Sequence, residues 1–209
     1  MTTPDRRTRD LVARIAERRA LGWQVLQDAF GPPTSETVVG LCEGATHAAV
    51  VHATAWLTSD LDRFDPDLAL LDTYGRGACP RPVEDVLDEL TTEHVRLFAE
   101  KGGVLVDELA VPPGELVAQL AAVSALVLRE QQAWASGDFE QAKHLRASQQ
   151  EFLLAHPARF VPTLCARLVA ATRLDFYRAW AGLLRSYLSI EAGVDYGRTV
   201  LSQTFEPKE

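Results

Sequence analysis

The sequence predicts an all-α fold, a single globular bundle of about eight or nine helices, on three observations. Apolar residues recur at helical spacing along most of the chain. Glycine, proline and Ser/Asp breakers separate those periodic stretches. The only strand-like run, Val104-Leu105-Val106, has no evident partner strand.

The first helix is expected over Asp5–Phe30, stopping at Gly31-Pro32-Pro33. Leu11, Ile15, Gly22, Leu26 and Phe30 form its buried edge, and its many arginines form a solvated face. Thr34-Ser35 caps a short second helix carrying Val38, Val39 and Leu41, which Gly44 ends. Ala45–Thr58 is apolar almost all round, so a central third helix is expected there. Ser59-Asp60 and Asp65-Pro66-Asp67 mark a loop, and Tyr74 to Pro80 a small turn. These breaks divide an N-terminal half (about 1–60) from a C-terminal half (about 83–209) across a connecting segment at 61–82.

From Pro82 to Phe98 the residues Val83, Val86, Leu87, Leu90, Leu97 and Phe98 keep helical phase, with His94 among them as a satisfied core histidine. Lys101-Gly102-Gly103 ends this helix. Pro112-Pro113 opens a long one through Trp134, and Asp138 caps the next, which reaches Ala155. Pro157 stops that helix because it lacks an N–H and drives His156 out of the α region. Pro162 suits the first turn of its successor. The last helix, about Leu174–Ile190, aligns Phe176, Trp180, Leu183, Leu184, Tyr187 and Leu188 on one face.

The 209 residues, 47% hydrophobic and 24% charged, are sufficient for a full core. A net charge of -8 disfavours a nucleic-acid partner held through phosphates. Three scattered cysteines, Cys42, Cys79 and Cys165, show no C-x-x-C spacing and suit a reducing compartment. Arg6-Arg7 is followed by no apolar run, and the longest apolar stretch, Ala48–Leu57, is too short to span a bilayer, so a cytoplasmic location without stable membrane insertion is expected. There is no G-x-S-x-G, H-E-x-x-H, P-loop or zinc-ligand spacing, which leaves no catalytic, metal or cofactor residue to nominate.

A peptide-holding surface is the remaining reading. Nine acids lie between Glu84 and Glu115, against only Arg96 and Lys101. Phe152-Leu-Leu-Ala-His156, Phe160-x-Pro162, Phe176-Tyr177-Arg178 and Leu183-Leu184-x-x-Tyr187-Leu188-x-x-Glu191 follow one another in order, and Glu93-His-Val-Arg96-Leu97-Phe98 lies upstream. Together these stretches resemble the TorD/DmsD (NarJ-like) family of cytoplasmic chaperones for molybdenum-cofactor oxidoreductases. The resemblance implies a non-enzymatic chaperone, a monomer or domain-swapped homodimer, that binds a molybdopterin oxidoreductase subunit or its twin-arginine signal peptide and binds no cofactor itself. Its expected client-binding residues are Glu93 and Arg96, which would fix the loop that follows them, with Pro112, Glu115 and His156 as further polar or loop positions. Trp56, Leu57, Leu97, Phe98, Leu116 and Phe160 are the groove candidates.

An exposed ion pair contributes only about 0.2–1 kcal/mol, against roughly 1.5–3 kcal/mol for burying a leucine-sized side chain. A groove would therefore supply most of the affinity, and the acids orientation and association rate. The family's Asp-His pair is absent, since the helix opens with Pro112-Pro113-Gly114-Glu115, so the resemblance does not extend to its nucleotide binding. The alternative from another class is an all-α ligand-binding regulatory or dimerisation module without catalysis.

Overall fold

The computed structural model describes residues 5–57, 61–75, 81–99, 102–105, 113–193 and 196–197. Among them are nine α-helices and one short 3-10 turn (Leu61–Arg63), and no strand. The helices are α1 (Arg6–Phe30), α2 (Ser35–Cys42), α3 (Ala45–Thr54), α4 (Asp65–Gly75), α5 (Val83–Phe98), α6 (Pro113–Ser136), α7 (Phe139–Ala155), α8 (Pro157–Ala171) and α9 (Asp175–Ala192).

Local chemistry sets most of these boundaries. Asp5 accepts from the Thr8 N–H at 2.7 Å, Thr34 from Thr37 at 3.2 Å and Asp138 from Gln141 at 3.1 Å, each satisfying an N–H that has no partner within its helix. Gly44, at φ 78°, makes the tight turn between α2 and α3 in a left-handed conformation that side chains disfavour.

Helix α9 is the axis of the bundle and packs against α8, α4, α7 and α1. Trp180, Leu183, Leu184, Tyr187 and Leu188 are all buried along it. Helix α1 lies along α6 over most of its length, and α4 lies on α9. One hydrophobic cluster runs from Ala16 to Ala192, so the two halves of the sequence interleave around a shared core. Helices α1 and α9 come close at Gly22, where any Cβ would lie 2.5 Å from the Tyr187 ring. That ring also meets Trp23 edge-on at 5.0 Å and donates its hydroxyl hydrogen to the Arg19 carbonyl.

Three expectations need correction. Asp65-Pro66-Asp67 opens α4 rather than a loop, because acids in a first turn and proline near a helix start favour initiation. Pro157, not Pro162, begins α8, and Pro162 is accommodated inside it. Helix α3 is not central: it ends at Thr54, and Ala45, Ala48, Val51 and His52 face solvent. The strand-like run finds no partner strand among the described residues: the Gly103 and Leu105 N–H groups donate back to the Ala99 and Leu97 carbonyls, which folds the end of α5 into a turn. The small turn expected at Tyr74–Pro80 lies largely outside the described residues, as do Thr58, Ser59 and Asp60.

At the contact of α4 with α9, the Asp67 carboxylate rests against Gly182, where a Cβ would collide with it. Burial raises its pKa to about 6, although Arg185 pulls the other way. A carboxyl group with a raised folded-state pKa favours folding while protonated and loses that contribution as pH rises from 3.8 through about 6. Asp67→Asn should therefore raise the urea midpoint at pH 7.5 and leave it nearly unchanged at pH 4, as urea titrations at the two pH values would reveal.

Candidate functional site

Glu93 and Arg96, three residues apart on α5, pair with each other, and the pair holds a different connection from the loop expected. Arg96 Nε and Nη2 donate to the two Glu93 carboxylate oxygens at 2.7 and 2.6 Å. Glu93 also accepts from the Arg173 N–H at 2.7 Å and from the Thr172 hydroxyl at 3.1 Å, while Arg96 Nη2 donates to the Ala171 carbonyl. The pair thus clamps the α8–α9 turn onto α5, not the loop after Phe98. The hydrogen bond from Arg96, aided by the Arg173 N–H, outweighs burial and holds the Glu93 carboxyl down at about 2. A depressed carboxyl pKa stabilises the fold above the unfolded value of 4.5, and that contribution is lost as pH falls towards 2. Glu93→Gln should cost about 1–3 kcal/mol at pH 7. It should also reduce the loss of stability between pH 4.5 and pH 2, measurable by urea unfolding across that range.

The other nominated residues separate. Leu57, Leu97, Phe98 and Leu116 are at most 6% exposed and belong to the core rather than a groove wall. Phe160 is half-buried and packs against the same core. Glu115 is exposed and accepts from Gln119, and Pro112 lies outside the described residues. His156 caps the α7–α8 junction: its N–H donates to the Phe152 carbonyl and its exposed ring lies on Phe152 at 4.7 Å. His94 is not a satisfied histidine. Its ring lies tilted against Phe98 at 5.0 Å, its buried Nδ1 has no hydrogen-bond partner among the described residues, and burial lowers its pKa. Of the acids on α5, Glu84, Asp85 and Asp88 are exposed, and Glu89 pairs with Arg81 at 2.6 Å.

The described residues form an acidic, apolar-floored cleft elsewhere. A space of about 500 Å³ opens between the end of α1, α2 and the start of α3. Phe176 and Trp180 of α9 are part of its lining, with Val25, Leu41 and Val117 among its apolar walls. Asp28 and Glu36 stand on it, and among the described residues no lysine, arginine or histidine lines it. Burial, with Glu36 nearby, raises the Asp28 pKa. These are two like charges at an apolar opening with no base between them. Asp28 and Glu36 flank the Gly31-Pro32-Pro33 break, and folding of that break brings them together. The break was visible in the sequence; its pairing with Val117 and Trp180 was not.

Arg6, Arg7 and Arg14 of α1 are exposed as the solvated-face reading expects, but Arg19 is not. Arg19 is only 3% exposed, and its guanidinium donates to Glu191 through Nε and Nη2, to Glu130 at 2.7 Å and to Gln149 at 2.6 Å. Arg146 Nη1 reaches the same Glu191 at 3.0 Å, and Gln149 Nε2 donates to Glu130. Burial works against the Arg19 charge, but Glu191 and Glu130 raise its pKa nonetheless. This network joins α1, α6, α7 and α9 at one point.

Cys165 is buried and its thiol is pushed up to about 12, which leaves it unreactive as a nucleophile. Cys79 lies outside the described residues. No described helix is long and apolar enough to cross a membrane. Compared with known proteins, the chain matches no family model, no curated protein and no solved structure.

Proposed function

We propose that this chain is a non-catalytic chaperone that holds a molybdenum-cofactor oxidoreductase precursor, through its twin-arginine leader, in the cytoplasm before assembly or export. The observation that carries the reading is the cleft at α1, α2 and α3, with Asp28 and Glu36 at an apolar opening that no base lines among the described residues. A leader of this type carries two guanidinium groups ahead of an apolar segment, which suits an acidic mouth beside the half-buried Val25 and Val117. The resemblance of the Glu93–Phe98 and Phe152–Glu191 stretches to TorD/DmsD chaperones supports the same reading. In this arrangement those motif residues support the fold: Glu93 and Arg96 fix the α8–α9 turn, and Tyr187 and Glu191 anchor α1.

The test is calorimetric titration of the full chain with a synthetic twin-arginine leader. Binding is expected, with a Asp28→Asn, Glu36→Gln double variant weaker by about three- to tenfold, the loss of two exposed ion pairs. The same variant should flatten the salt dependence. Replacing the leader's arginines by alanine should weaken binding to the wild-type chain and make little further difference to the double variant. No binding, or binding indifferent to both changes, would count against the proposal.

A further inference from the structure

Helix α3 packs against α1, α2 and α4 and turns an apolar side to solvent. Ala45, Ala48, Val51, His52 and Ala55 recur on that side at helical spacing and are all exposed, Val51 by 44%. From Gly44 to Leu57 the chain contains no aspartate, glutamate, lysine or arginine. The solvent side of a helix in a bundle ordinarily carries charged groups. A contiguous apolar side without them marks a docking surface.

The two ends of this face differ in charge. At its start, Ala45 and Ala49 line the acidic cleft on which Asp28 and Glu36 stand. Glu43, exposed at the end of α2, adds a third carboxylate there. At its far end Ala55 keeps a helical conformation, so Trp56 falls on the same edge as Ala45, Ala49 and His52, at steps of four, three and four residues. Trp56 is half-buried and opens on a second cleft, of about 430 Å³, beside Val12, Ile15 and Trp134. The charged groups around that end are matched: Arg19 with Glu130, Arg146 with Glu191 and Lys143 with Glu140. The face is thus acidic where α3 begins and apolar from there to Trp56, a span of ~16 Å at 1.5 Å per residue.

We propose that the outer face of α3 docks the apolar segment of the leader, laid parallel to α3 from the acidic cleft to Trp56. This placement rests on the leader-binding reading and gives the bound peptide a direction and a length. The arginine pair comes first in the leader and is held at Asp28 and Glu36, so the segment that follows it leaves the cleft along Ala45, Ala48 and Val51. About ten helical residues, or about five extended ones, cover the distance to Trp56. Alanines at 45, 48 and 55 let a second helix come close, since interaxial distance follows the size of the side chains at the contact. An amphipathic helix laid on an apolar surface is a recurring mode of peptide recognition.

The test is a cycle between the full chain and a synthetic twin-arginine leader, followed by calorimetry. A Val51→Glu, Ala55→Glu variant puts two carboxylates under the docked segment. Both positions are exposed, so its urea midpoint should stay close to that of the wild type. It should weaken the leader at least about tenfold. Replacing the segment's leucines by serine should weaken wild-type binding at least as much and make little further difference to the variant. Replacing the arginines by alanine should still weaken binding to the variant, because the acidic cleft is intact. Val95→Glu, at a 56% exposed valine of α5, should change nothing. The leader should also shift the tryptophan emission to the blue, and Trp56→Phe should remove most of that shift. Binding that depends on Asp28 and Glu36 but is indifferent to Val51→Glu, Ala55→Glu overturns this placement and leaves the leader-binding reading standing. Absence of leader binding overturns both. A dimer that the α3 variant dissolves, with leader affinity unmoved, assigns the face to a second copy of the chain and overturns the placement as well.

Discussion

Arg19→Met is expected to lower the unfolding free energy by about 3–5 kcal/mol, the cost of leaving buried carboxylates without their cation. Glu191 is fully buried and Glu130 is 4% exposed, so neither can turn to water once the guanidinium is gone. Arg146 remains on Glu191 but makes no contact with Glu130, so it compensates only in part. Urea unfolding of the variant would measure the loss. The mechanism makes a further demand. An Arg19→Met, Glu130→Leu, Glu191→Leu variant should recover much of it, because apolar groups of similar size need no desolvated partner. A loss below about 1 kcal/mol in the single variant would mean that water reaches the network.

Trp180→Ala should be about as damaging, at roughly 3–5 kcal/mol, since it removes the largest side chain of α9 at a site only 2% exposed. Trp180 meets Phe176 edge-on at 6.1 Å and lies beneath the acidic cleft. Its removal would leave a void under the cleft as well as in the core. Leader binding should therefore fall with stability, whereas Asp28→Asn, Glu36→Gln should lower binding alone. Leu128→Ala makes a control, because Leu128 is 45% exposed and its truncation should stay within about 0.5 kcal/mol. Thermal and urea unfolding of the three variants, with a leader titration at a temperature where all are folded, separates the two effects.

The helices were legible because their causes are local. Periodicity, the caps at Asp5, Thr34 and Asp138, and the Gly31-Pro32-Pro33 break act within a few residues, and the elements follow them closely. The exceptions at Asp65 and Pro162 were also local signals: helix starters at Asp65-Pro66-Asp67 taken for a loop, and a helix start placed at Pro162 that Pro157, having stopped α7, already supplies. Exposure was harder to read. Phe98 and Leu116 look like any apolar helix residue in the sequence, and only the packing of neighbouring helices puts them in the core.

The amino-acid sequence by itself determined that this chain is helical, where most helices begin and end, and that Glu93 and Arg96 would meet, since they are three residues apart on one turn. The tertiary structure alone decided that Arg19 is buried, because its main partner Glu191 lies 172 residues away. It also decided that the acids beside an apolar opening are Asp28 and Glu36 rather than those of α5. A helix's own turns are fixed by neighbours along the chain. Which of its faces is dry, and which charge finds a partner, depends on helices that come together only when the bundle closes.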